Sequence, residues 1–522
     1  MRAPRTVGLL LVGILAGACS AGAGGVTVTG TSPVTSATAT TTPATSTPPG
    51  QPATSAPAVT AGTPTTAAPT PAGTLDWQPC GRLECATLTV PLDYADPSKG
   101  TIELNMKRHL ASGTNRVGSL LVNPGGPGVP GTSLVDQATL AFSENLLDRF
   151  DIVGWDPRGT GASSPVDCVD DLDPLFSLDP IPDTPAEKQS LIDASKQFDD
   201  ACETRSGRIL PYISTQDTAK DMDEIRKALG EDKISYFGFS YGSQLGAMYA
   251  TLFPTHVRAM VLDGASDPNA GYVESTKQQV VGLERGLQQM MDDCAQKTSC
   301  AFHHGGNPMA AYDALIAKLT TNPIPSADAG RPAVGPGIAL YGVVAVLYVK
   351  QYWPVVTRAL AAAEKGDGSQ LLDLYDSYVE RQADGTWTNA FEGLIAINCL
   401  DDPGPKDPSF PDTYAAELRT LSPHFGDWAA YSYNCIFWPT PQKPPVKLTG
   451  AGAGTIVVVG TTGDPITPIE STKNMAAALE NGVLVTVDAE QHTGYGVNQC
   501  VVAAVDDYLI DLTAPEAGLL CK

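Results

Sequence analysis

The sequence predicts an α/β fold, with a mostly parallel sheet covered by helices on both faces and an inserted helical lobe. Strand-like apolar runs alternate with helical periodicity over residues 76–269 and again over 446–522. The strand rhythm stops between them, so residues 270–445 are predicted to form the lobe. At 522 residues, with 42% hydrophobic and 17% charged side chains, the chain is long enough for a large core and an added lobe.

The predicted strands begin with a hairpin. Segments 86–91 and 101–110 flank an Asp-Pro-Ser-Lys-Gly sequence that is typical of a turn. Further strands are predicted at 117–123, 151–156, 234–239, 257–263, 455–460 and 484–487.

Helices are predicted where apolar residues recur at helical spacing behind an N-capping residue. In the sheet-forming parts these segments are 215–229, 241–252, 469–479 and 501–512. In the lobe they are 272–295, 309–320, 342–352 and 371–382. The apolar stretch 338–349 is interpreted as a buried core helix, with the lining of an acyl pocket as the alternative.

The N-terminus has the features of an export signal. Arg2 and Arg5 precede an uncharged stretch, 6–18, which is too short to cross a bilayer. Residues 15–19 read Leu-Ala-Gly-Ala-Cys and resemble the lipobox of bacterial lipoproteins. Residues 1–18 are therefore predicted to be a signal peptide and Cys19 the lipidated first residue, which would anchor the chain to the outer face of the cell membrane. The alternative is an ordinary cleaved signal with a chance cysteine.

Residues 19–75 are predicted to form a disordered stalk. Between positions 20 and 74 there is no charged or aromatic residue, only Thr, Ala, Pro, Ser, Gly, Val and one Gln. Such a segment cannot bury enough apolar surface to offset the entropy of ordering it. Its composition is also typical of O-glycosylated stalks, which is a hypothesis here.

Ten cysteines remain after Cys19, and an even number behind an export signal indicates disulfides. Pairing neighbours in sequence predicts the bonds 80–85, 168–202, 294–300, 399–435 and 500–521, although other pairings stay open at this point. A metal site is the rival interpretation. Because the chain has no Cys-x₂-Cys pair and few histidines, no metal is predicted.

The overall charge argues against a nucleic-acid partner. The formal net charge is −24 and the pI about 4.5, so a surface that neutralises phosphates is not expected.

Residues 238–242 read Gly-Phe-Ser-Tyr-Gly, a Gly-x-Ser-x-Gly pattern between a predicted strand and a predicted helix. A sharp turn there strains the backbone of Ser240 and presents its hydroxyl at the carboxyl edge of the sheet. A larger side chain at either flanking glycine would collide with backbone. The pattern recurs by chance in glycine-rich chains, so its placement supports the prediction that Ser240 is a nucleophile.

An oxyanion formed at this serine needs donors. Residues 123–128 read Asn-Pro-Gly-Gly-Pro-Gly after the third predicted strand, and glycines there let backbone N–H groups approach a substrate carbonyl. The N–H groups of Gly126 and Tyr241 are the predicted pair. The alternative interpretation of the glycine run is a simple tight turn.

A serine nucleophile also needs a base and a group that orients the base. Of six histidines, only His492 lies in a loop after a late strand with small neighbours. Asp464 lies just beyond the preceding strand, which gives the chain order Ser, Asp, His. A lone acid or histidine is more often structural, but both occur at strand ends in the expected order. Ser240, Asp464 and His492 are therefore the predicted catalytic residues.

These motifs together resemble secreted actinobacterial α/β-hydrolases of the tripeptidyl aminopeptidase-like group, which are related to proline iminopeptidases. The resemblance spans about residues 76–521. One departure is Pro124, where proline iminopeptidases usually have histidine. The matching motifs are 123–128, the block 150–163, the turn at Ser240 and the sequence Gly-Asp-Pro-Ile-Thr-Pro at 463–468.

The resemblance implies an α/β-hydrolase fold and a serine peptidase that releases tripeptides or short peptides from N-termini through an acyl-enzyme. No cofactor is implied. An exopeptidase of this kind must bind a free α-ammonium group with a carboxylate in a partly dry pocket. Asp401, in an Ala-Ile-x-Cys-x-Asp pattern shared with the family, is the first candidate and Glu392 the second. Acidic residues on a lobe are otherwise simply solvated.

Three further residues near the motifs have structural interpretations. Asp156 and Arg158 are predicted to brace loops near the oxyanion turn rather than to act on substrate. Thr467 either braces the loop of Asp464 or His492, or caps the helix that follows.

Two other functions remain open. A cell-envelope esterase or lipase would use the same three residues. A binding protein with an inert hydrolase fold would use none of them.

Overall fold

The computed structural model describes residues 75–328 and 330–522. The predicted signal peptide 1–18, the lipidation site Cys19 and the stalk up to residue 74 lie outside the described residues.

The core is one ten-stranded sheet whose strand order is β1-β2-β3-β5-β4-β6-β7-β8-β9-β10. The pairs β1–β2, β2–β3 and β3–β5 are antiparallel, and the remaining pairs are parallel. The predicted opening hairpin is confirmed as β2 and β3. The strands are β1 Gln78–Cys80, β2 Leu83–Pro91, β3 Thr101–His109, β4 Gly118–Asn123, β5 Phe150–Trp155, β6 Ile234–Phe239, β7 Val257–Asp263, β8 Ile456–Thr461, β9 Gly482–Val487 and β10 Leu519–Cys521.

The α-helices before β8 fall into two sets. Those that precede or follow the first strands are α1 Gly131–Asp136, α2 Ala138–Ala141, α3 Glu144–Arg149, α4 Asp173–Phe176, α5 Pro185–Ser206, α6 Thr215–Ala228 and α7 Tyr241–Leu252. Those between β7 and β8 are α8 Tyr272–Gln296, α9 Pro308–Thr321, α10 Pro336–Leu347, α11 Trp353–Ala363, α12 Ser369–Tyr378, α13 Ala390–Asp401, α14 Phe410–Leu421 and α15 Gly426–Ala430. Two more, α16 Ile469–Ala478 and α17 Gln499–Asp511, follow β8 and β9.

Within the described part of the interval between β7 and β8, no segment joins the ten-stranded sheet. The predicted lobe helix at 342–352 has the wrong bounds, since α10 runs from Pro336 to Leu347. Pro336 is favourable in a first helical turn, and Val349 is extended with φ −140°. The helix is almost wholly buried, as the core-helix interpretation of 338–349 predicts.

Helices cover both faces of the sheet. Successive strand residues point to opposite faces, and both faces are apolar, so each face needs a helical layer to bury it. In β8, Ile456 and Val458 belong to one core, and Val457 and Val459 to the other. This alternation explains why the predicted parallel strands read as continuous apolar runs.

All five predicted disulfides are present: Cys80–Cys85, Cys168–Cys202, Cys294–Cys300, Cys399–Cys435 and Cys500–Cys521. None of the helices in the described ranges is long and apolar enough to cross a membrane.

Arg158 braces loops, as predicted, but its partner is Asp221 rather than Asp156. The guanidinium and the Asp221 carboxylate, both with 0% side-chain exposure, are joined by bonds of 2.7 and 2.5 Å. Arg158 also donates to the carbonyls of Leu92 and Tyr212. Asp156 is occupied elsewhere, by four donors on Asn105, Thr132 and Ala162.

Asp199 on α5 is a buried acid. It is 1% exposed, and neither carboxylate oxygen accepts a hydrogen bond from any residue that the structure describes. Burial raises the pKa of Asp199 from 3.8 to about 8, against the attraction of Lys406. The carboxyl group therefore takes up a proton on folding between about pH 4 and pH 8. The free energy of unfolding therefore falls as pH rises through that window, because the carboxyl group ionises in the unfolded chain and stays protonated in the folded one.

We expect Asp199→Asn to raise the free energy of unfolding by about 2 kcal/mol at pH 8 and by less than about 0.5 kcal/mol at pH 4. Urea denaturation at the two pH values measures both. Asp200→Asn, a neighbouring exposed acid, is the control and should show no such gain. An equal effect of Asp199→Asn at both pH values would contradict this account.

Candidate active site

Ser240 lies in the sharp turn between β6 and α7. Its φ of 54° and ψ of −124° confirm the strained backbone that the sequence predicts. A Cβ atom at Gly238 would lie 2.2 Å from the carbonyl oxygen of Gly242, so the tight turn requires glycine there. The Ser240 N–H donates to the carbonyl of Asp263 at 2.8 Å, which ties the turn to the end of β7.

The loop at 123–128 lies directly against this turn. A Cβ atom at Gly125, where φ is +100°, would lie 2.8 Å from the Ser240 Cβ and 3.1 Å from the Tyr241 nitrogen. Gly126 and Tyr241 both line the cavity in front of Ser240. Since Tyr241 is the first residue of α7, its N–H has no partner within the helix.

His492 and Asp464 are brought together at the ends of β9 and β8. The His492 Nδ1 lies 2.9 and 3.0 Å from the two carboxylate oxygens of Asp464. Asp464 is fully buried and His492 is 4% exposed. The backbone N–H groups of Ile466, Thr467 and Thr493 also donate to Asp464, so its carboxylate is held in place by several donors.

Thr467 braces this pair. Its Oγ1 lies 3.1 Å from Asp464 Oδ2 and 3.2 Å from His492 Nδ1. The N-cap position of α16 is Pro468, without a side-chain cap. The first of the two predicted roles for Thr467 is therefore confirmed.

The other nitrogen of His492 is unoccupied. Nε2 is buried and has no hydrogen-bond partner among the described residues. The imidazole lies beside the end of β7, since a Cβ at Gly264 would be 3.0 Å from its Cε1. Ser240 and His492 both line the same cavity. A buried nitrogen without a partner, on a residue that lines the same cavity as the serine, is consistent with a general base.

Asp263 holds the histidine loop and was not recognised from the sequence. Its carboxylate oxygens accept the N–H groups of Gly494 and Tyr495, both at 2.7 Å. Burial raises the pKa of Asp263 to about 7. Its position in the sequence could have indicated this role. Asp263 is the last residue of the predicted strand 257–263, at the sheet edge where Ser240, Asp464 and His492 also lie.

The helical segment between β7 and β8 contacts the loop of His492 through residues 348–350, which we call the strap. The His492 N–H donates to the Tyr348 carbonyl at 2.8 Å, and the two rings meet edge to face with centroids 5.5 Å apart. Val349 forms an isolated antiparallel bridge with Gln491. Lys350 forms an ion pair with Glu490. The strap therefore links residues 490–492 to α10.

A cavity of about 950 Å³ opens in front of Ser240. Much of its lining is aromatic, including Phe176, Tyr341, Tyr348, Tyr378, Phe391 and Trp428. Its charged lining residues are mostly acidic: Asp267, Glu380, Asp401, Asp402 and Lys443. The lysine is itself paired with Asp217, 3.4 Å away, so the carboxylates dominate the cavity.

Asp401 lies at the end of α13 and lines the cavity. Its carboxylate accepts the N–H of Thr215 at 3.1 and 3.2 Å and the Thr215 hydroxyl at 2.5 Å. The same hydroxyl contacts the Tyr241 hydroxyl. Burial raises the pKa of Asp401 to about 7, and no lysine, arginine or histidine among the described residues forms an ion pair with it.

Glu392, the second predicted amine-binding acid, is not part of the cavity lining. It is 5% exposed, and its Oε1 accepts the N–H groups of Cys168 and Val169 at 2.8 and 2.9 Å. Both donors belong to the loop that the Cys168–Cys202 disulfide fixes. Glu392 therefore holds the backbone of this loop, and its position does not support the prediction that it binds substrate.

The described residues contain no group of three or more His, Cys, Asp or Glu side chains arranged to hold a metal ion. The chemistry available from the side chains described above is acyl transfer through a hydroxyl nucleophile.

Comparison with known proteins identifies the family. A family model described as TAP-like protein matches residues 422–521, and one described as the α/β hydrolase fold matches residues 118–320. Serine protease Hip1 from Mycobacterium tuberculosis is 34% identical over 478 residues, which cover 86% of this chain and 91% of Hip1. The chain belongs to the TAP-like α/β-hydrolases. The family assigned from the sequence motifs is thereby confirmed.

Two other relatives of this TAP-like hydrolase have different names. Tripeptidyl aminopeptidase from Streptomyces lividans is 32% identical over 460 residues and is matched over 84% of each chain. Carboxylesterase B from Mycobacterium tuberculosis is 36% identical over 450 residues, covering 84% of this chain and 86% of that protein. The family relationship makes the chain a serine hydrolase, and these names do not by themselves select peptides or esters as its substrates.

Proposed function

We propose that this TAP-like hydrolase is an exported aminopeptidase that releases short peptides from free N-termini. The observation that supports it most strongly is the acidic cavity that Ser240 and His492 line. Four carboxylates line this cavity, and the lysine in its lining is already paired with Asp217. Such a cavity favours a cationic substrate group, and every unblocked peptide has one at its N-terminus.

The proposed reaction is acyl transfer at Ser240. Its hydroxyl attacks the peptide carbonyl while His492 Nε2 accepts the proton. The N–H groups of Gly126 and Tyr241 stabilise the oxyanion, and Asp464 holds the imidazole and its positive charge. His492 then protonates the departing amine as the peptide bond breaks. Water hydrolyses the acyl-enzyme by the same proton transfers in reverse, which regenerates Ser240.

Asp401 is the proposed partner of the substrate α-ammonium group. Its carboxylate has neutral donors only, so an incoming ammonium group would supply the missing positive charge. Asp401 is connected to Tyr241 through one shared contact, the Thr215 hydroxyl. Tyr241 thus spans from the proposed oxyanion donor to the proposed ammonium site. Three residues of extended peptide reach about 10 Å, a length that a cavity of about 950 Å³ can hold.

An esterase is the second candidate, because the cavity lining is rich in aromatic rings that suit an apolar acyl group. The relative named Carboxylesterase B gives it further support. Peptides and esters that share one acyl group separate the two candidates.

Export and lipid anchoring through Cys19 form part of the proposal. The five disulfides support an oxidising compartment. The acidic composition of the chain supports the absence of a nucleic-acid partner. Intact mass and a lipid label on the mature protein, with Cys19→Ser as control, test the anchor.

The experiment for substrate class compares free and N-acetylated peptide arylamides of one to four residues, together with the matching esters. For the parent enzyme we expect kcat/KM to be about 10- to 100-fold higher for the free N-terminus, in line with a charge-assisted hydrogen bond of about 1.5–3 kcal/mol. The preferred length identifies how many residues each cut removes. Equal rates for free and acetylated peptides would refute the aminopeptidase proposal, and cleavage of esters alone would establish the esterase.

Asp401→Asn is expected to lower the ratio of free to acetylated kcat/KM by about tenfold or more, because the amide keeps the shape and loses the charge. In the parent enzyme this ratio should fall as pH drops below about 7, where the Asp401 carboxylate becomes protonated. Effects of pH on the chemical step itself act on both peptides alike and cancel in the ratio. Asp407→Asn, at an exposed acid outside the cavity lining, is the matched control. A parent ratio that does not change between pH 5 and pH 8 would contradict the role of Asp401.

A further inference from the structure

Glu380 is a carboxylate of the cavity lining that the proposed mechanism does not use. It follows α12 on a short hairpin in which Arg381 pairs with Trp387. Its φ is +57°, a backbone conformation that costs free energy for a residue with a side chain. Local structure would favour Gly or Asn at this position, so the presence of Glu calls for a reason beyond the turn itself.

The charge of Glu380 is not compensated. The Thr388 hydroxyl donates to its Oε2, and Glu380 forms no ion pair with a described residue. The neighbouring cation, Arg381, is directed elsewhere, toward Asp376 at 3.9 Å and over the Trp387 ring at 5.9 Å. Burial raises the pKa of Glu380, as expected for a carboxylate with no cation nearby.

Aromatic rings line the same cavity as Glu380. The ring of Tyr378, two residues before it, lies 5.5 Å from Phe391 and 5.7 Å from Tyr341 between centroids. All three rings line the cavity. Aromatic faces attract ammonium and guanidinium groups, and a carboxylate among them adds a directed charge-assisted hydrogen bond.

This group of residues is connected to the histidine. The Tyr348 ring lies 5.5 Å from His492 and 6.5 Å from Tyr378. Asp401 instead contacts Thr215, next to Tyr241. The two carboxylates thus have different neighbours in the same cavity, and neither forms an ion pair with a cation in the described ranges.

We propose that Glu380, together with the rings of Tyr341, Tyr378 and Phe391, forms a subsite for the cationic side chain of a lysine or arginine residue in the peptide substrate. This inference rests on the proposed peptidase function and narrows its substrate class. The preferred substrate carries two positive charges, an α-ammonium group at Asp401 and a basic side chain at Glu380.

The test uses peptides with a free N-terminus in which lysine and uncharged norleucine are exchanged at each position on both sides of the scissile bond. For the parent enzyme we expect lysine to raise kcat/KM about tenfold or more at one position, mainly through KM. Nε-acetyl-lysine at that position should lose this preference, because it keeps the chain length and lacks the charge. Glu380→Gln should reduce the preference to less than about threefold, and Glu380→Asp should retain part of it.

Two controls separate this subsite from the rest of the enzyme. Glu364→Gln, at a glutamate paired with His304 outside the cavity lining, should leave the lysine preference unchanged. Asp401→Asn should lower the ratio of free to acetylated peptides and leave the lysine preference in place. Thermal unfolding of each variant reports its folding, and the acetyl-lysine comparison on the parent enzyme does not depend on any variant.

The proposal is wrong if the parent enzyme shows no lysine preference at any position, or if Glu380→Gln retains it. Cleavage of peptides without such a preference overturns the subsite alone. Failure of the parent enzyme to cleave any peptide, with esters still hydrolysed, overturns the proposed function and the subsite with it.

Discussion

Ser240→Ala is expected to lower kcat by about 10⁴- to 10⁶-fold, the loss seen when a serine nucleophile is removed from a catalytic triad. The reason is local to the turn after β6. The positive φ of Ser240 and its bond to the Asp263 carbonyl fix the residue in the lining of the cavity that His492 also lines.

The measurement is hydrolysis together with labelling by a fluorophosphonate probe, which reacts with activated serines. The parent enzyme should gain one label on the peptide that contains Ser240, and Ser240→Ala should gain none. Ser243→Ala is a matched control, three residues after Ser240, and it should still be labelled. The Ser243 hydroxyl is buried and has no hydrogen-bond partner in the described part of the chain. A parent protein that resists the probe would favour the inert binding protein, and labelling of Ser240→Ala would identify another nucleophile.

Arg158→Met is expected to reduce the free energy of unfolding by about 3–5 kcal/mol, because it leaves the Asp221 carboxylate buried without its cation. Both side chains have no exposed surface, and the guanidinium also satisfies three carbonyls, those of Pro91, Leu92 and Tyr212. Solvent cannot replace these partners while the fold remains closed.

Chemical denaturation of Arg158→Met, Asp221→Leu and the double variant measures this effect. The double variant should lose less stability than either single variant, since it leaves neither charge unpaired. Lys188→Met removes the exposed pair with Asp412 and should cost less than about 1 kcal/mol. A loss below about 1 kcal/mol for Arg158→Met would show that the buried pair does not hold these loops together.

The parts of the fold that depend on local pattern were predictable from the sequence. Strands such as β6 are short apolar runs bounded by turn residues. The bounds of α7 coincide with the segment 241–252, in which apolar residues recur at helical spacing. The catalytic candidates were found for a related reason. In a parallel sheet the strands end at one edge, so Ser240, Asp464 and His492 could be expected together from their positions after three strands.

Other parts could not be predicted, because they depend on contacts between distant residues. The helix α5 was missed although Thr184 and Glu187 form a capping box at its start, since few of its residues are apolar at helical spacing. Arg158 was correctly interpreted as structural, but its partner Asp221 lies 63 residues further along the chain. Glu392 and Asp401 are both acidic residues of the same predicted lobe segment, and the sequence does not distinguish them. In the structure, Glu392 binds the backbone at Cys168 and Asp401 lines the cavity.

The strap at residues 348–350 restricts how the helices between β7 and β8 can move. A backbone hydrogen bond, a strand bridge and an ion pair join this segment to residues 490–492. A large outward movement of α10 would break these links or displace His492 with it. We therefore expect substrates to enter the cavity without such a movement, while the imidazole keeps its bond to Asp464.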